Sequence, residues 1–296
     1  MTRSRELLVA GSIALDTLEG PFGTVHDELG GSALHFALAA SLIMPLRMMA
    51  PIGAETAARL EQAIQGRPID AKLVTVLDAP TYRWRALQGA GHNVDLGSQD
   101  SIYDRWEPIP PPGFDGWAFL GSMRPDRQAQ LAKDLDGAAV LAADAMLSYV
   151  RSQPPEAREV LRRSSWYFCN LDEFEALGGE QPESFRRRWD LEGLVVKAGP
   201  RGVTAYTQDG SVHVPALTNR PVIDTTGAGD AIAAGMLAHW LSTGGDPNGV
   251  QEALVWGVAC AALTIADIGL RGILGATRAQ LEERVLEVKE SLLRGS

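Results

Sequence analysis

Short apolar runs without strict alternation recur along the chain, at 7–10, 117–120, 139–142, 166–169 and 194–197. Segments with apolar residues at helical spacing lie between or after them, at 33–43, 55–64, 127–133, 155–163, 230–241 and 251–265. Strands that are apolar on both sides and separated by helices predict a mainly parallel sheet covered on both faces. Two regions break that rhythm. Residues 16–29 are interrupted by Gly and Pro, and 72–104 carries runs such as AKLVTVL and TYRWRAL with little helical spacing. Together, within approximate segments 14–32 and 72–106, they predict a small β lid beside the main sheet. The Pro-rich stretch 107–116 reads as a stiff connector. Residues 277–292 read as an amphipathic final helix, with Thr277 positioned to cap it. The expected fold class is α/β, a three-layer α/β/α arrangement with a central, mostly parallel sheet and a small β lid. The whole chain, 1–296, reads as one domain.

Composition narrows the choice of partners. The net charge of −10 argues against a general nucleic-acid binder, which needs basic surface to displace counterions. It leaves an anionic small molecule open, because a local pocket can oppose the global field. No apolar stretch reaches the length of a membrane span, and the N-terminal apolar run is too short for a secretory signal, so a cytoplasmic protein is expected. The two cysteines, Cys169 and Cys260, sit far apart in apolar runs and read as buried thiols. No CxxC or His/Cys cluster points to zinc.

The segment VIDTTGAGDAIAAGMLAHWL, 222–241, carries the sharpest chemistry. An apolar strand is expected to end at Ile223, followed by a Gly-rich turn and a helix. Gly227 and Gly229 allow a tight turn and close approach of a ligand. Unpaired N–H groups at the helix start can hold phosphate oxygens and stabilise charge in phosphoryl transfer. Asp230 lies where a carboxylate could take the proton of an attacking hydroxyl; its alternative role is a helix-start charge that stabilises the dipole. Asp224 reads as an organiser of the loop or a metal ligand through water. The turn is neither a P-loop nor a dinucleotide fingerprint, so on its own it leaves the substrate undecided.

DTTGAGD at 224–230 resembles the C-terminal signature of the ribokinase-like, or PfkB-type, carbohydrate and nucleoside kinases. GGSALHFALAASL at 30–42 resembles that family's glycine pair and following helix. NLDEFEAL at 170–177 holds its Asn-x-x-Glu pattern as Asn170 and Glu173. VVKAGPRG at 195–202 resembles the strand and glycine turn before the nucleotide site. The four occur in the family's order and span most of the chain. The resemblance implies a ribokinase-like fold, ATP and Mg2+ as cofactors, and Asp230 as general base. It implies an anion hole from the backbone of 226–229, with Gly227, Ala228 and Gly229 at its centre. Nucleotide contacts are implied for Lys197, Gly199, Gly202, Thr225, Thr226, Gly227, Gly229 and Cys260. Asn170 and Glu173 would organise the metal through water; the alternative is a capped turn before a short helix. Potassium dependence is left open.

On the acceptor side the resemblance points to Asp16, Gly30 and Gly31, with Asp230 reaching the reacting hydroxyl. Asp16 could accept two hydroxyl hydrogen bonds, or serve only as a turn residue. His35 stands where many sugar kinases of the family have Asn, which puts plain ribose or fructose specificity in doubt; it is either a ligand contact or a packing residue. Glu55 reads as a helix-start charge. In the lid, strand alternation would send Arg83 and Arg85 to one face and Tyr82 and Trp84 to the other. Arg83 and Arg124 are candidate contacts to an anionic acceptor, with a surface salt bridge as the alternative for Arg124. His92 and Asn93 read as a loop tip outside the site. The expected activity is transfer of the ATP γ-phosphate to an alcohol of a small sugar-like acceptor. The alternatives are a nucleoside kinase, or a non-catalytic small-molecule binder on the same fold. An exposed lid edge would permit a homodimer.

Overall fold

The computed structural model describes residues 5–89 and 93–295. The strands are β1 (Leu7–Ala10), β2 (Ala14–Gly20), β3 (Gly23–Gly30), β4 (Leu46–Gly53), β5 (Ile69–Leu77), β6 (Tyr82–Gln88), β7 (Asn93–Gln99), β8 (Trp117–Leu120), β9 (Val140–Ala143), β10 (Trp166–Asn170), β11 (Gly193–Lys197), β12 (Val203–Thr207) and β13 (Gly210–Val214). The helices are α1 (Ser32–Ala40), α2 (Ala54–Ile64), α3 (Pro125–Asp134), α4 (Leu147–Ser152), α5 (Pro154–Arg163), α6 (Leu171–Ala176), α7 (Pro182–Arg188), α8 (Ala228–Ser242), α9 (Val250–Thr264), α10 (Arg271–Leu274) and α11 (Arg278–Gly295).

Nine strands form the main sheet in the order β13-β12-β11-β10-β9-β8-β1-β4-β5. Pairing is parallel from β11 through β5 and antiparallel for β11–β12 and β12–β13. Alternation along β1 explains the two cores. Leu7 and Val9 join the layer holding α1, α8, α9 and α11, while Leu8 and Ala10 join the layer holding α3, α5, α6 and α7. The central strands β1, β8, β9, β10 and β11 are therefore apolar on both sides, as their unalternating sequences require. On the first side, a Cβ at Gly235 would lie 2.5 Å from the Trp256 carbonyl, and one at Gly257 would lie 2.6 Å from that of Ile232. This reciprocal pair lets the backbones of α8 and α9 touch, fixing α8 and the phosphate turn at its start.

The smaller sheet has the order β3-β2-β6-β7 and forms the lid. It differs from expectation in one element: residues 72–77 do not join it. All of AKLVTVL belongs to β5, the edge strand of the main sheet, paired parallel to β4. The strand β4 has no counterpart among the expected runs. Pro51 and Gly53 interrupt its sequence signal, yet it is nearly all buried between β1 and β5. The lid exposes Leu87, Val94 and Leu96. Among the described residues no helix is long and apolar enough to cross a membrane. Thr277 caps α11 as expected: its hydroxyl accepts from the Gln280 amide at 3.3 Å, and Gln280 returns an acceptor to the Thr277 amide.

Candidate active site

The carboxyl ends of adjacent parallel strands carry the polar groups, which is where an open α/β sheet ordinarily places a ligand. Asp144 follows β9. Asn170 ends β10 and Lys197 ends β11, and these two are directly paired in register. The turn 224–227 leads into α8 beside them. Val222 and Ile223 are not a strand, contrary to the sequence expectation. They are 48% and 37% exposed, and the Ile223 amide donates to the Ile265 carbonyl at 2.9 Å, so this segment is tied to the end of α9 rather than to a sheet.

The turn is built around Asp224. One carboxylate oxygen accepts from the amide and the hydroxyl of Thr226, at 2.9 and 2.8 Å, and the other accepts from the Gly269 amide at 2.9 Å. This is the organising role anticipated for Asp224. Gly227 follows with φ 75°, a left-handed conformation that bends the chain into α8. The Thr226 amide is spent on Asp224, and the Ala228 amide donates to the Thr225 carbonyl at 3.2 Å. Two of the four amides expected to form the anion hole are thus already used inside the turn.

Asp230 sits in the first turn of α8. Burial, together with the carboxylates of Asp144 and Glu173, pushes its acid well above the ordinary carboxylate range, against the opposing charge of Lys197. A carboxylate so raised is a better proton acceptor than an exposed one. The Lys197 ammonium donates to Asp144 at 2.5 Å. Burial alone would lower Lys197, but Asp144 and Glu173 outweigh it and raise it. Asn170 and Glu173 form a reciprocal capping box: Glu173 N donates to Asn170 Oδ1 at 2.9 Å and Asn170 N to Glu173 Oε2 at 2.7 Å. Burial pushes the Glu173 acid up to about 8, opposed by Lys197 and assisted by Asp144.

On the acceptor side, His35 meets the phosphate turn. A Cβ at Gly227 would lie 2.0 Å from His35 Nδ1, so the imidazole packs directly on the turn. A Cβ at Gly30 would lie 2.3 Å from Asp16 Oδ2 and 3.9 Å from His35 Nε2, so Asp16 and His35 converge on Gly30. Asp16 Oδ1 and both His35 nitrogens are buried without a hydrogen-bond partner among the described residues. Burial, with Asp224 and Glu28 nearby, pushes the Asp16 acid up to about 8. Burial takes His35 down to about 4 despite Asp224, leaving a neutral ring at pH 7. Gly31 belongs elsewhere: with φ 96° and a Cβ position 2.5 Å from the Ser12 carbonyl, it lets α1 start against the end of β1. Asp16 lies on β2, in the lid.

Several expected contacts fall outside this cluster. Cys260 is fully buried inside α9, its thiol pushed up to about 12 by burial. Gly202 has a Cβ position 2.2 Å from the Val214 carbonyl and serves the β12–β13 side of the sheet. Gly199 opens the short turn after β11. Arg124 is held by Asp126 and Asp104 at 2.7 and 2.6 Å, which is the salt-bridge alternative. Arg83 pairs with Asp27 and Arg85 with Glu19. Glu55 accepts from the Thr81 amide at 2.8 Å while starting α2. His92 lies outside the described residues. Asn93, read from sequence as a loop tip, instead meets the turn: its Nδ2 donates to Thr226 Oγ1 at 2.8 Å and its Oδ1 accepts from Thr225 Oγ1 at 3.2 Å. Trp84 stands opposite Asp16 in the β2–β6 register, so the two project from one face of the lid. Its Nε1 donates to Asp95 at 3.0 Å.

A lidded α/β sheet with an Asp-bearing glycine turn at a helix start defines the site of a small-molecule phosphotransferase class. The sequence profile of the pfkB family carbohydrate kinases matches residues 118–274, and the chain belongs to that family. It is 29% identical over 249 residues to a cytidine kinase of Thermococcus kodakarensis, covering 79% of this chain and 88% of that one. It is 35% identical over 167 residues to an ATP-dependent ribose-1-phosphate kinase of Halopiger xanaduensis, where the match spans 56% of this chain and 54% of that protein. Among solved structures, the nucleoside kinase of Methanocaldococcus jannaschii superposes with a TM-score of 0.78 at 19% identity, covering 96% of this chain and 99% of that one. The nucleoside kinase of Burkholderia thailandensis in complex with inosine gives 0.79 at 22% identity, covering 95% and 97%. These likenesses establish the ribokinase fold.

Proposed function

We propose that the protein transfers the γ-phosphate of ATP to an alcohol of a small sugar or nucleoside, with Asp230 as general base. The observation that carries this reading is the contact of His35 with Gly227. It joins the unpartnered acceptor groups, Asp16 and His35, to the turn that leads within three residues to Asp230. A hydroxyl held by Asp16 and His35 would then face Asp230 on one side and the phosphate turn on the other. Asp230 takes the hydroxyl proton. The hydroxyl oxygen forms a bond to the γ-phosphorus as the bond from that phosphorus to the bridging oxygen of ADP breaks. The remaining turn amides and the start of α8 stabilise the charge on the moving group.

Mg2+ would neutralise charge on the nucleotide phosphates. The donor set suits a hard cation: the Glu173 carboxylate and the Asn170 amide oxygen are oxygen ligands. Among the described residues no three acidic, His or Cys side chains form a cage, as suits an ion carried largely by phosphates and water.

Trp84 favours a nucleoside over a free sugar. An aromatic ring on the Asp16 face of the lid offers a stacking surface for a base, and the cytidine and nucleoside kinases among its relatives agree with that choice.

The reading is tested by ADP release from Mg-ATP against a panel of pentoses, hexoses and nucleosides, comparing the protein with Asp230→Asn. The expected result is a loss of about 10²–10⁴-fold in kcat with Mg-ATP affinity retained. Turnover by the variant at the level of the parent would overturn the assignment of the base.

A further inference from the structure

Asp144 is given no role by the motifs that define the site, yet it makes the closest polar contact in it. Its Oδ2 accepts from Lys197 Nζ at 2.5 Å, with the two side chains only 7% and 13% exposed. The ammonium is trapped on its other side by α8: a Cβ added at Gly229 would lie 2.8 Å from Nζ. Lys197 is therefore fixed between a carboxylate at the end of β9 and the backbone of the first helical turn, one residue before Asp230. The absence of a side chain at Gly229 is what lets the ammonium reach that backbone.

The arrangement has a physical consequence. A lysine side chain has four rotatable bonds and is a mobile point charge unless something holds it. At the end of β11 it could turn toward Glu173, which acts on it electrostatically, or toward Asp230. Holding by Asp144 selects one position, against the turn in which the phosphate is expected. A fixed charge costs no reorganisation when negative charge builds up on the transferred group. The pair also keeps the site from being a pocket of carboxylates alone, which would repel a nucleotide.

We infer that Asp144 is a positioning residue for phosphoryl transfer, anchoring the Lys197 ammonium against Gly229 so that its charge meets the terminal phosphate of the nucleotide. The inference rests on the kinase reading above. Lys197 would touch the phosphate, and Asp144 would act only through it.

The test measures calorimetric affinities for Mg-AMPPNP and Mg-ADP in the parent, Asp144→Asn, Asp144→Glu, Lys197→Met and the double variant Asp144→Asn/Lys197→Met. Asp144→Asn strands a buried ammonium, whereas the double variant strands no charge, so it stays interpretable if the single one unfolds. The expected result is that Lys197→Met and the double variant bind Mg-AMPPNP about tenfold more weakly than the parent, one charge-assisted hydrogen bond's worth. Mg-ADP affinity should stay within about twofold, and Asp144→Glu should recover the parent preference. The double variant should be no worse than Lys197→Met, because the two act as one unit. Equal weakening toward both nucleotides would mark a structural role and overturn the inference. So would parent-like binding of Mg-AMPPNP by Lys197→Met. Both results leave the kinase reading standing. A parent protein that binds neither nucleotide overturns the kinase reading, and the inference falls with it.

Discussion

The two sides of the site are finished to different degrees. On the nucleotide side each central polar group has a partner within the chain. Asp224 accepts three hydrogen bonds, Asn170 and Glu173 satisfy each other, and Lys197 is held by Asp144. On the acceptor side, Asp16 Oδ1 and both nitrogens of His35 are buried with no partner among the described residues. Leaving a buried polar atom unpaired costs about 1–3 kcal/mol. The nucleotide side is thus preorganised for a ligand bound largely through backbone and fixed charge. On the proposed reading the acceptor side would be completed by hydroxyls that supply the missing bonds, and discrimination between acceptors would belong there.

The harshest way to break this comparison is to damage the point where His35 packs on the turn. Gly227→Ala forces a Cβ into a left-handed conformation and into the His35 ring, 2.0 Å from Nδ1. Turnover should fall by more than about 100-fold, with acceptor and nucleotide sites failing together, and stability should drop by roughly 1–3 kcal/mol. Gly229→Ala is the contrast. Its Cβ meets only the flexible end of Lys197, so Mg-ATP affinity should suffer while acceptor binding holds. Steady-state kinetics and thermal melts on both variants check this. Acceptor binding lost in Gly229→Ala, or kept in Gly227→Ala, would erase the division.

A milder change reads the acceptor side alone. Asp16 titrates at about 8 in the folded protein, against 3.8 ordinarily. Between these values the folded state keeps a proton that the unfolded chain has lost, so Asp16 makes stability fall as pH rises from about 4 to about 8. Asp16→Asn removes that slope. The variant and the parent should melt close together at pH 4, and the variant should be the more stable at pH 8, by on the order of 5 kcal/mol. Acceptor binding should run the other way. Hydroxyl donors favour the ionised carboxylate, so KM for the acceptor should fall toward pH 8 in the parent and stay high and flat in the variant. Melts across pH that remain parallel would show that Asp16 carries no such burden.

How far the sequence disclosed this division follows from the kind of signal each part leaves. The turn 224–230, the Asn170–Glu173 pair and Lys197 are short local patterns, set by the backbone needs of a strand end and a helix start. Asp16 and His35 were legible only as candidates, each with a structural alternative; that they converge on Gly30 was not. Asp144 and Asn93 left no local mark. Asp144 matters because β9 and β11 end at the same rim of the sheet, and Asn93 because the lid folds it over Thr225 and Thr226. The strand β4 was hidden for a related reason: Pro51 and Gly53 lower its intrinsic strand signal, and only its place between two other strands overrides that.

The finest test concerns which acceptor the lid expects. Trp84 and Asp16 share a face of the lid, and Trp84 is oriented by its hydrogen bond to Asp95. If the acceptor is a nucleoside, its sugar hydroxyls reach Asp16 while its base lies on the indole. Stacking of that kind is worth about 1–3 kcal/mol per base, or roughly 5–150-fold in affinity. Trp84→Leu keeps an apolar side chain in the half-buried position and removes the ring. KM for a nucleoside acceptor should rise by about tenfold, while KM for a free pentose, which never reached the ring, should stay within about twofold. Equal losses for both acceptors would mean that Trp84 only holds the lid in shape. Unchanged KM for the nucleoside would return the specificity question to Asp16 and His35, and make a sugar the better-fitting acceptor.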